Sequence, residues 1–357
     1  NITLWREVAI QIMKLVNGDF DPQEFARPYG IYSHIEQRLT EDGFWYEGSV
    51  HYHHYVLEAL GYLSYFMTQY GKKDELLEEK VEKMLQFSCQ LAFDNGIFPN
   101  PNDGWPNVNL KTYLNIFELA AASYPQNEMI QTIYRNVLLL PGERVCLPIE
   151  DEMFFGNISS TGLLILDGEI KKEELLTKDS VHFLDSKVSV LRNKQFNIFL
   201  KYGVNSLSHA HYDPLNVEFT IDQQLIAKDL SNVGYGSDLV HRWYNTPLGH
   251  NSVIIDEQLN NIRYHADVLN RNEQKIKVQS DDIYPGSRIV RGIDLKEESF
   301  VVETAVQTEK PSTIDIVQHF DIPVIELGNA EGFVELAEPG IYMSNLNSEI
   351  VHSTKYA

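Results

Sequence analysis

Residues 196–213 read FNIFLKYGVNSLSHAHYD and join an alternating apolar segment to a run of polar side chains. The alternation in Phe196–Tyr202 predicts a β-strand, and we expect this extended geometry to continue to Asp213. Successive side chains of a strand point to opposite faces, so His209, His211 and Asp213 would share one face. Such a face could bind a metal or transfer protons, whereas a polar sheet face covered by water is the alternative.

The sequence on either side of this stretch divides into a helical half and a β half. Apolar residues recur at helical spacing in the first half, which predicts helices at Leu4–Val16, Gly30–Leu39, from an N-cap at Ser49 to about Tyr70, and at about 74–94, 109–124 and 126–138. Strand-like alternation dominates the second half, at Lys187–Leu191, Phe196–Tyr202, Leu215–Thr220, Ser252–Ile255, Phe300–Val306 and Ile314–Phe320.

These patterns predict an α+β multidomain chain whose sheet is antiparallel, because few helices interrupt the strands. We place the helical domain at 1–140, a linker region at 141–180 and the antiparallel β-sheet domain at 181–357. The helical pattern is already under way at residue 1 and the last strands stop abruptly. We therefore expect the chain to be a fragment at both ends.

Composition narrows the possible partners. The formal net charge is -22 over 357 residues, and no basic stripe exists that could neutralise phosphates, so nucleic acid is not an expected partner. No apolar run is long enough to span a membrane, and no basic-then-apolar signal segment opens the chain. We expect a cytoplasmic protein with no membrane partner, with a periplasmic or secreted location left open. Oligomeric state is not predicted.

Two further groups of residues have side chains that could line a substrate cleft or bind a metal. The segment Trp45–Tyr55 contains three histidines and three tyrosines within ten residues, which suits the floor of a cleft, although aromatic residues at helical spacing are more often core. Separately, His211, Asp229 and His250 could come from three neighbouring strands. Two imidazoles and one carboxylate form a common set of divalent-metal ligands, but their separation in sequence leaves open whether they converge.

The chain resembles the heparinase II/III and oligo-alginate lyase group of polysaccharide lyases. The resemblance rests on Asp42–Ser49 running into Tyr52–Tyr55, on Ser208–Asp213, and on Gly234-Tyr235 through His250–Val253. These segments occur in the family's order and span nearly the whole chain, including the change from helices to strands.

The resemblance implies an incomplete α/α toroid of helical hairpins followed by antiparallel, sandwich-like β-sheet layers, with the substrate cleft between them. It implies Tyr52 and His209 as catalytic residues and Tyr235 as a third residue facing the cleft. It also implies that His211, Asp229 and His250 hold a zinc ion in a structural or supporting role.

The implied activity is β-elimination on an acidic polysaccharide, with alginate oligomers and heparin or heparan sulfate as competing substrates. Expected substrate contacts come from Asn1, Arg6, Glu47, His53, Trp105 and Arg242. The resemblance puts Asn1 near the family's carboxylate-neutralising position and Arg6 at a place associated with His in relatives. Asp103 receives no role. The alternatives are a carbohydrate-binding homologue with impaired catalysis and a zinc-dependent glycan hydrolase.

Overall fold

The computed structural model describes residues 1–140 and 178–322, together with the backbone of three short strands within 324–344. Most of the expected linker, residues 141–177, and Cys146 lie outside this part of the chain, while Cys89 is a free thiol. Among the described residues, no helix is both long and apolar enough to cross a bilayer.

Six α-helices form the first half. They span Ile2–Asn17 (α1), Ile31–Arg38 (α2), Val50–Gln69 (α3), Glu75–Leu91 (α4), Leu114–Ser123 (α5) and Glu128–Leu139 (α6). Local caps explain their limits: Asn1 caps α1, Gly18 ends it in a left-handed conformation, and Ser49 caps α3 as predicted. The predicted helices are thus confirmed to within a few residues, and a short 3-10 turn, Leu110–Tyr113, takes the beginning of the expected 109–124 helix.

The helices share one core. Helix α3 packs against α1, α4 and α5, and its buried side chains include Val56, Leu60 and Leu63. The core continues into the second half of the chain through Val188, Val190 and Phe199.

The second half is built from antiparallel strands. A five-stranded sheet contains Val181–Phe183 (β1), Val188–Arg192 (β2), Phe196–Lys201 (β3), Val217–Ile221 (β4) and Gln224–Ala227 (β5) in sequential order. A two-stranded sheet pairs Val253–Ile255 (β6) with Ile314–Ile316 (β11), and a four-stranded sheet contains Asp267–Asn272 (β7), Lys275–Ser280 (β8), Ser287–Leu295 (β9) and Phe300–Thr308 (β10). Val324–Glu326 (β12), Phe333–Leu336 (β13) and Ile341–Ser344 (β14) form a separate meander.

Strand β3 is buried along its whole length because both of its faces are covered. Phe199 faces the helical core, whereas Ile198 and Leu200 join a second core shared with β8 and β9. The five-stranded sheet therefore separates the helices from the four-stranded sheet. The prediction of an α+β chain with antiparallel sheets is confirmed.

The segment Ser208–Asp213 differs from the prediction. It is not a strand but part of an irregular loop between β3 and β4, and His209 has a left-handed backbone with φ of 60°. Strand alternation therefore does not set the directions of these side chains. Strand β3 ends at Lys201, and the loop after it makes polar contacts with Asp103 of the helical half instead of pairing with a neighbouring strand.

Candidate active site

The first turn of α3 places Tyr52 at the boundary between the two halves. The Ser49 hydroxyl accepts a hydrogen bond from the Tyr52 backbone nitrogen at 3.2 Å, which fixes the start of the helix. The same hydroxyl donates to the backbone oxygen of Asp103, in the Pro- and Asn-rich loop after α4. Tyr52 is consequently held on a rigid element that is tied to the neighbouring loop.

His209 reaches the same place from the sheet half. Its imidazole stacks on the Tyr52 ring, with ring centroids 3.5 Å apart and planes 20° from parallel. The two residues are 157 positions apart in the sequence, so this contact exists only once both halves have folded against each other.

Tyr235, from a third segment of the chain, contacts both Tyr52 and His209. Its hydroxyl lies 3.3 Å from the Tyr52 hydroxyl and 3.1 Å from His209 Nδ1, and it donates to an oxygen of Asp103. The residue itself is 62% exposed, so the three side chains surround a position that solvent can enter.

A single carboxylate organises these polar atoms. Asp103 Oδ2 accepts from His209 Nδ1 at 2.9 Å and from Tyr235, while Oδ1 accepts from His211 Nε2 at 2.8 Å and from Asn232 Nδ2 at 2.6 Å. Burial alone would raise the pKa of Asp103, but the hydrogen bonds from His209, His211 and Tyr235 outweigh it and hold that pKa far below its usual range. Asp103 is therefore an anion that accepts on both oxygens.

The surroundings keep the phenols protonated. Burial raises the pKa of Tyr52, and the hydrogen bond with Tyr235 offsets this only in part. Burial and the hydrogen bond to Asp103 raise the pKa of Tyr235. Burial and the neighbouring His209 lower the pKa of His51, which packs edge-on against Tyr52 and Trp105, to about 4. Near neutral pH this site contains neutral phenols, a neutral His51 and a charged Asp103.

A second polar cluster lies next to His211. His250 Nδ1 is 2.8 Å from Asp229 Oδ2, and both side chains are fully buried. The rings of His211 and His250 lie 5.2 Å apart. Burial would lower the pKa of His250, but the charge and hydrogen bond of Asp229 outweigh it, so that pKa is raised.

This cluster can accommodate a cation. Of the described residues, the group whose ligand atoms all lie within 4.8 Å of one another is Asp213, Asp229 and His250, which differs from the predicted set in one member. Lys201 Nζ, however, already contacts both Asp213 oxygens, at 2.6 and 2.7 Å. His211 Nδ1 and His250 Nε2 are buried and have no hydrogen-bond partner. A metal ion at these two nitrogens would satisfy both of them. Of the predicted ligands, Asp229 and His250 belong to the close-lying group, and His211 lies outside it.

The residues predicted to contact the substrate lie in different parts of the structure. Asn1 Nδ2 donates to Glu47 Oε2 at 3.0 Å, and Trp45 Nε1 donates to the same oxygen, just before α3. Trp105 is half-buried beside His51. Arg6 and Arg242 are exposed.

His53 is placed differently from the expectation. It is 1% exposed and lies in the helical core, where its ring contacts the Trp45 backbone nitrogen, the Met84 oxygen and the Ser88 hydroxyl. The helical turn that directs Tyr52 toward the cleft directs the next residue inward. His53 is therefore a buried structural residue that a substrate does not reach.

Sequence reasoning missed three polar residues that position this site. Asp103 contacts the catalytic candidates His209 and Tyr235, and Asn232 donates to Asp103. Glu218 accepts from the backbone nitrogens of Asn100, at 2.9 Å, and Asp229, at 3.0 Å. The available signal was the polar Asn102-Asp103 pair inside a Pro-rich loop. It could not reveal partners that lie more than 100 residues away.

Comparisons with known proteins agree with this architecture. Residues 29–132 match the heparinase II/III N-terminus family model, and residues 176–350 match the heparinase II/III-like C-terminal model. No curated protein sequence matches the chain.

Solved structures provide a second comparison. A heparinase III structure is 15% identical with a TM-score of 0.69, covering 93% of this chain and 49% of its own. The heparan sulfate lyase HepC from Pedobacter heparinus is 13% identical with a TM-score of 0.68, covering 94% of this chain and 50% of its own. The chain thus spans about half the length of these structures. Because the two family models lie in order on the two halves of the fold, the chain belongs to the heparinase II/III-like family.

Proposed function

We propose that this chain carries the active site of a polysaccharide lyase that cleaves a uronate-containing glycan by β-elimination. The observation that carries the proposal is the stacked pair of Tyr52 and His209, which places a phenol and an imidazole at one solvent-accessible position between the two halves. Family membership supports the same reaction class. The helices would form part of an incomplete α/α toroid.

The reaction needs an acid and a base on one sugar linkage. The base removes the proton from C5, the C5–H electrons form the C4–C5 double bond, and the C4–O bond breaks as the leaving oxygen takes a proton. The product is an unsaturated uronate at the new non-reducing end. An acid and a base positioned in this way each contribute about 10²- to 10⁴-fold.

Tyr52 and His209 fit these two roles. The raised pKa of Tyr52 keeps its hydroxyl protonated at neutral pH, as a proton donor requires. His209 must carry its hydrogen on Nδ1, because its partner there is the carboxylate of Asp103. Its Nε2 is then available as the base. For the opposite C5 epimer, Tyr52 would serve as both base and acid.

The substrate carboxylate must be neutralised before the C5 proton can leave, because the enolate adds negative charge. We assign this task to the Asn1 amide, which lies next to Glu47 ahead of α3. Trp105 offers an aromatic face for a sugar ring, and the exposed Arg242 could contact an acidic group farther along the chain.

We also propose that His211, Asp229 and His250 bind zinc. A zinc ion held by these residues would supply positive charge to this buried cluster. His209 and Tyr52 perform the proton transfers, so the metal has a supporting role.

Heparan sulfate and alginate oligomers are the two substrate candidates. The name of one structural neighbour, a heparan sulfate lyase, supports testing heparan sulfate first. The net charge of -22 and the lack of basic clusters favour a less heavily sulfated chain.

The test is to incubate the protein separately with heparan sulfate, heparin and alginate oligomers while recording two signals. One is ultraviolet absorbance from the conjugated unsaturated uronate, and the other is the appearance of new reducing ends. Parallel growth of both signals on one substrate is the expected result. New reducing ends without absorbance would instead indicate a glycan hydrolase, and binding without either signal would indicate a carbohydrate-binding homologue. Either outcome would overturn the proposal.

A further inference from the structure

The loop that carries Asp103 is fixed from both halves of the molecule. Asn102 donates from its side-chain amide to the Glu47 backbone oxygen at 3.0 Å, and its side-chain oxygen accepts from Lys201 Nζ at 2.5 Å. Ser231 donates to the backbone oxygens of Asn102 and Gly104. These contacts come from segments far apart in sequence, so the position of Asp103 is determined by the packing of the whole domain boundary.

The backbone of Asp103 itself links the two catalytic candidates. Its nitrogen donates to the His209 oxygen at 3.0 Å, and its oxygen accepts from Ser49, the cap of the helix that carries Tyr52. The backbone of Asp103 therefore fixes the start of α3 and the loop of His209 relative to each other. Its side chain then adds hydrogen bonds to the His209 and Tyr235 side chains themselves.

We infer that Asp103 is a positioning residue that keeps the hydrogen of His209 on Nδ1, so that Nε2 can accept the substrate proton. This inference rests on the proposed lyase function for its kinetic consequence, but the placement of the hydrogen is independent of any substrate. A carboxylate only accepts, so the nitrogen facing it must donate. The left-handed backbone of His209 indicates that the surrounding contacts outweigh a local preference for another conformation.

The amide variant Asp103→Asn should reverse this arrangement. Asn232 Oδ1 accepts from the Gly234 nitrogen at 2.7 Å, which leaves the Asn232 amide group to donate toward position 103. The carbonyl of the introduced amide should therefore stay on the side of Asn232 and His211, and its NH₂ group should face His209. His209 Nδ1 would then have to accept, its hydrogen would move to Nε2, and the base would be lost.

The matched control is Asp94→Asn. Asp94 also joins the two halves, because its carboxylate accepts from Asn197 at 3.2 Å and lies 3.8 Å from Arg192, and it has no contact with Tyr52, His209 or Tyr235. Comparing the two variants separates the loss of a contact between the halves from the loss of the His209 acceptor.

Two measurements test the inference. With ¹⁵N-labelled histidine, and with His209→Gln to assign the signal, nuclear magnetic resonance at one fixed neutral pH should show the Nδ1–H tautomer of His209 in the parent and in Asp94→Asn, and the Nε2–H tautomer in Asp103→Asn. On a substrate that the parent cleaves, kcat of Asp103→Asn should fall about 100-fold or more with KM within about threefold, while Asp94→Asn stays within about twofold.

The outcomes are distinguishable from failure of the lyase proposal. If no glycan is cleaved by the parent, the tautomer measurement still decides the role of Asp103. An Nε2–H tautomer in the parent, or the same tautomer in the parent and in Asp103→Asn, would overturn the inference. Full kcat in Asp103→Asn on a substrate cleaved by the parent would overturn it as well.

Discussion

The His209 imidazole lies face to face on the Tyr52 phenol, with ring centroids 3.5 Å apart, and each ring comes from a different half of the chain. The site therefore forms only where the helices pack against the sheet. Changes at the boundary between the halves should consequently affect chemistry, whereas changes on the outer helices or the outer sheet should affect stability alone.

Tyr235 provides the first test of this arrangement. Removal of its hydroxyl in Tyr235→Phe eliminates the contacts with Tyr52, His209 and Asp103 but leaves the stacked pair in place. Losing about one effective hydrogen bond, worth roughly 1.4 kcal/mol, should reduce kcat about 10-fold in steady-state kinetics. Tyr244→Phe, a half-buried tyrosine in the following segment, is the control and should behave like the parent. Equal activity of Tyr235→Phe and the parent would remove Tyr235 from the site.

Zinc content tests the second cluster. The purified protein should contain about one zinc ion per chain by elemental analysis, and chelation should lower its melting temperature, because two buried nitrogens lose their ligand. His250→Ala should lose the metal, whereas His265→Ala, a change at a surface histidine, should retain it. A protein that binds no zinc when folded, or a His250→Ala variant that binds it as tightly as the parent, would contradict the ligand assignment.

Buried histidines predict how stability depends on pH. Burial lowers the pKa of His53 to about 4, below the value of about 6.5 expected for an unfolded chain. Between these values the unfolded chain takes up a proton that the native protein does not, so stability decreases as pH falls from about 6.5 to about 4. His53 alone would contribute roughly 3 kcal/mol to this loss.

Thermal unfolding followed by circular dichroism across this pH range measures the effect. His53→Gln should show a smaller decrease in melting temperature with falling pH than the parent, and the surface change His265→Gln should show the same decrease as the parent. Identical pH dependence in His53→Gln and the parent would be inconsistent with a neutral, buried His53.

Sequence patterns located the elements whose residues repeat regularly. The cap at Ser49, the helix after it and strands such as Phe196–Lys201 were predictable because local spacing and burial determine them. Strand β7 was missed because nearly all of its side chains are exposed, so it carries no apolar alternation. Strands β8 and β9 were missed as well, although burial alternates along β8.

The site was predictable only in part, because contacts between residues distant in sequence leave no local pattern. The Trp45–Tyr55 crowding and the His209–His211 spacing identified residues with suitable chemistry, but the pairing of Tyr52 with His209 came from the family resemblance. The loop at Ser208–Asp213 follows contacts with Asp103 and not strand alternation, and no local pattern encodes such contacts. For the same reason His53 was assigned to the cleft although helix geometry turns it into the core.

In the proposed β-elimination, Tyr52 donates the proton to the leaving oxygen. The most direct measurement is kcat of Tyr52→Phe, from the growth of unsaturated-uronate absorbance, beside Tyr55→Phe as the control one helical turn away on the same helix. We expect Tyr52→Phe to lose about 100-fold or more in kcat with an unchanged fold, and Tyr55→Phe to retain activity within about threefold. Full lyase activity in Tyr52→Phe would contradict this role of Tyr52.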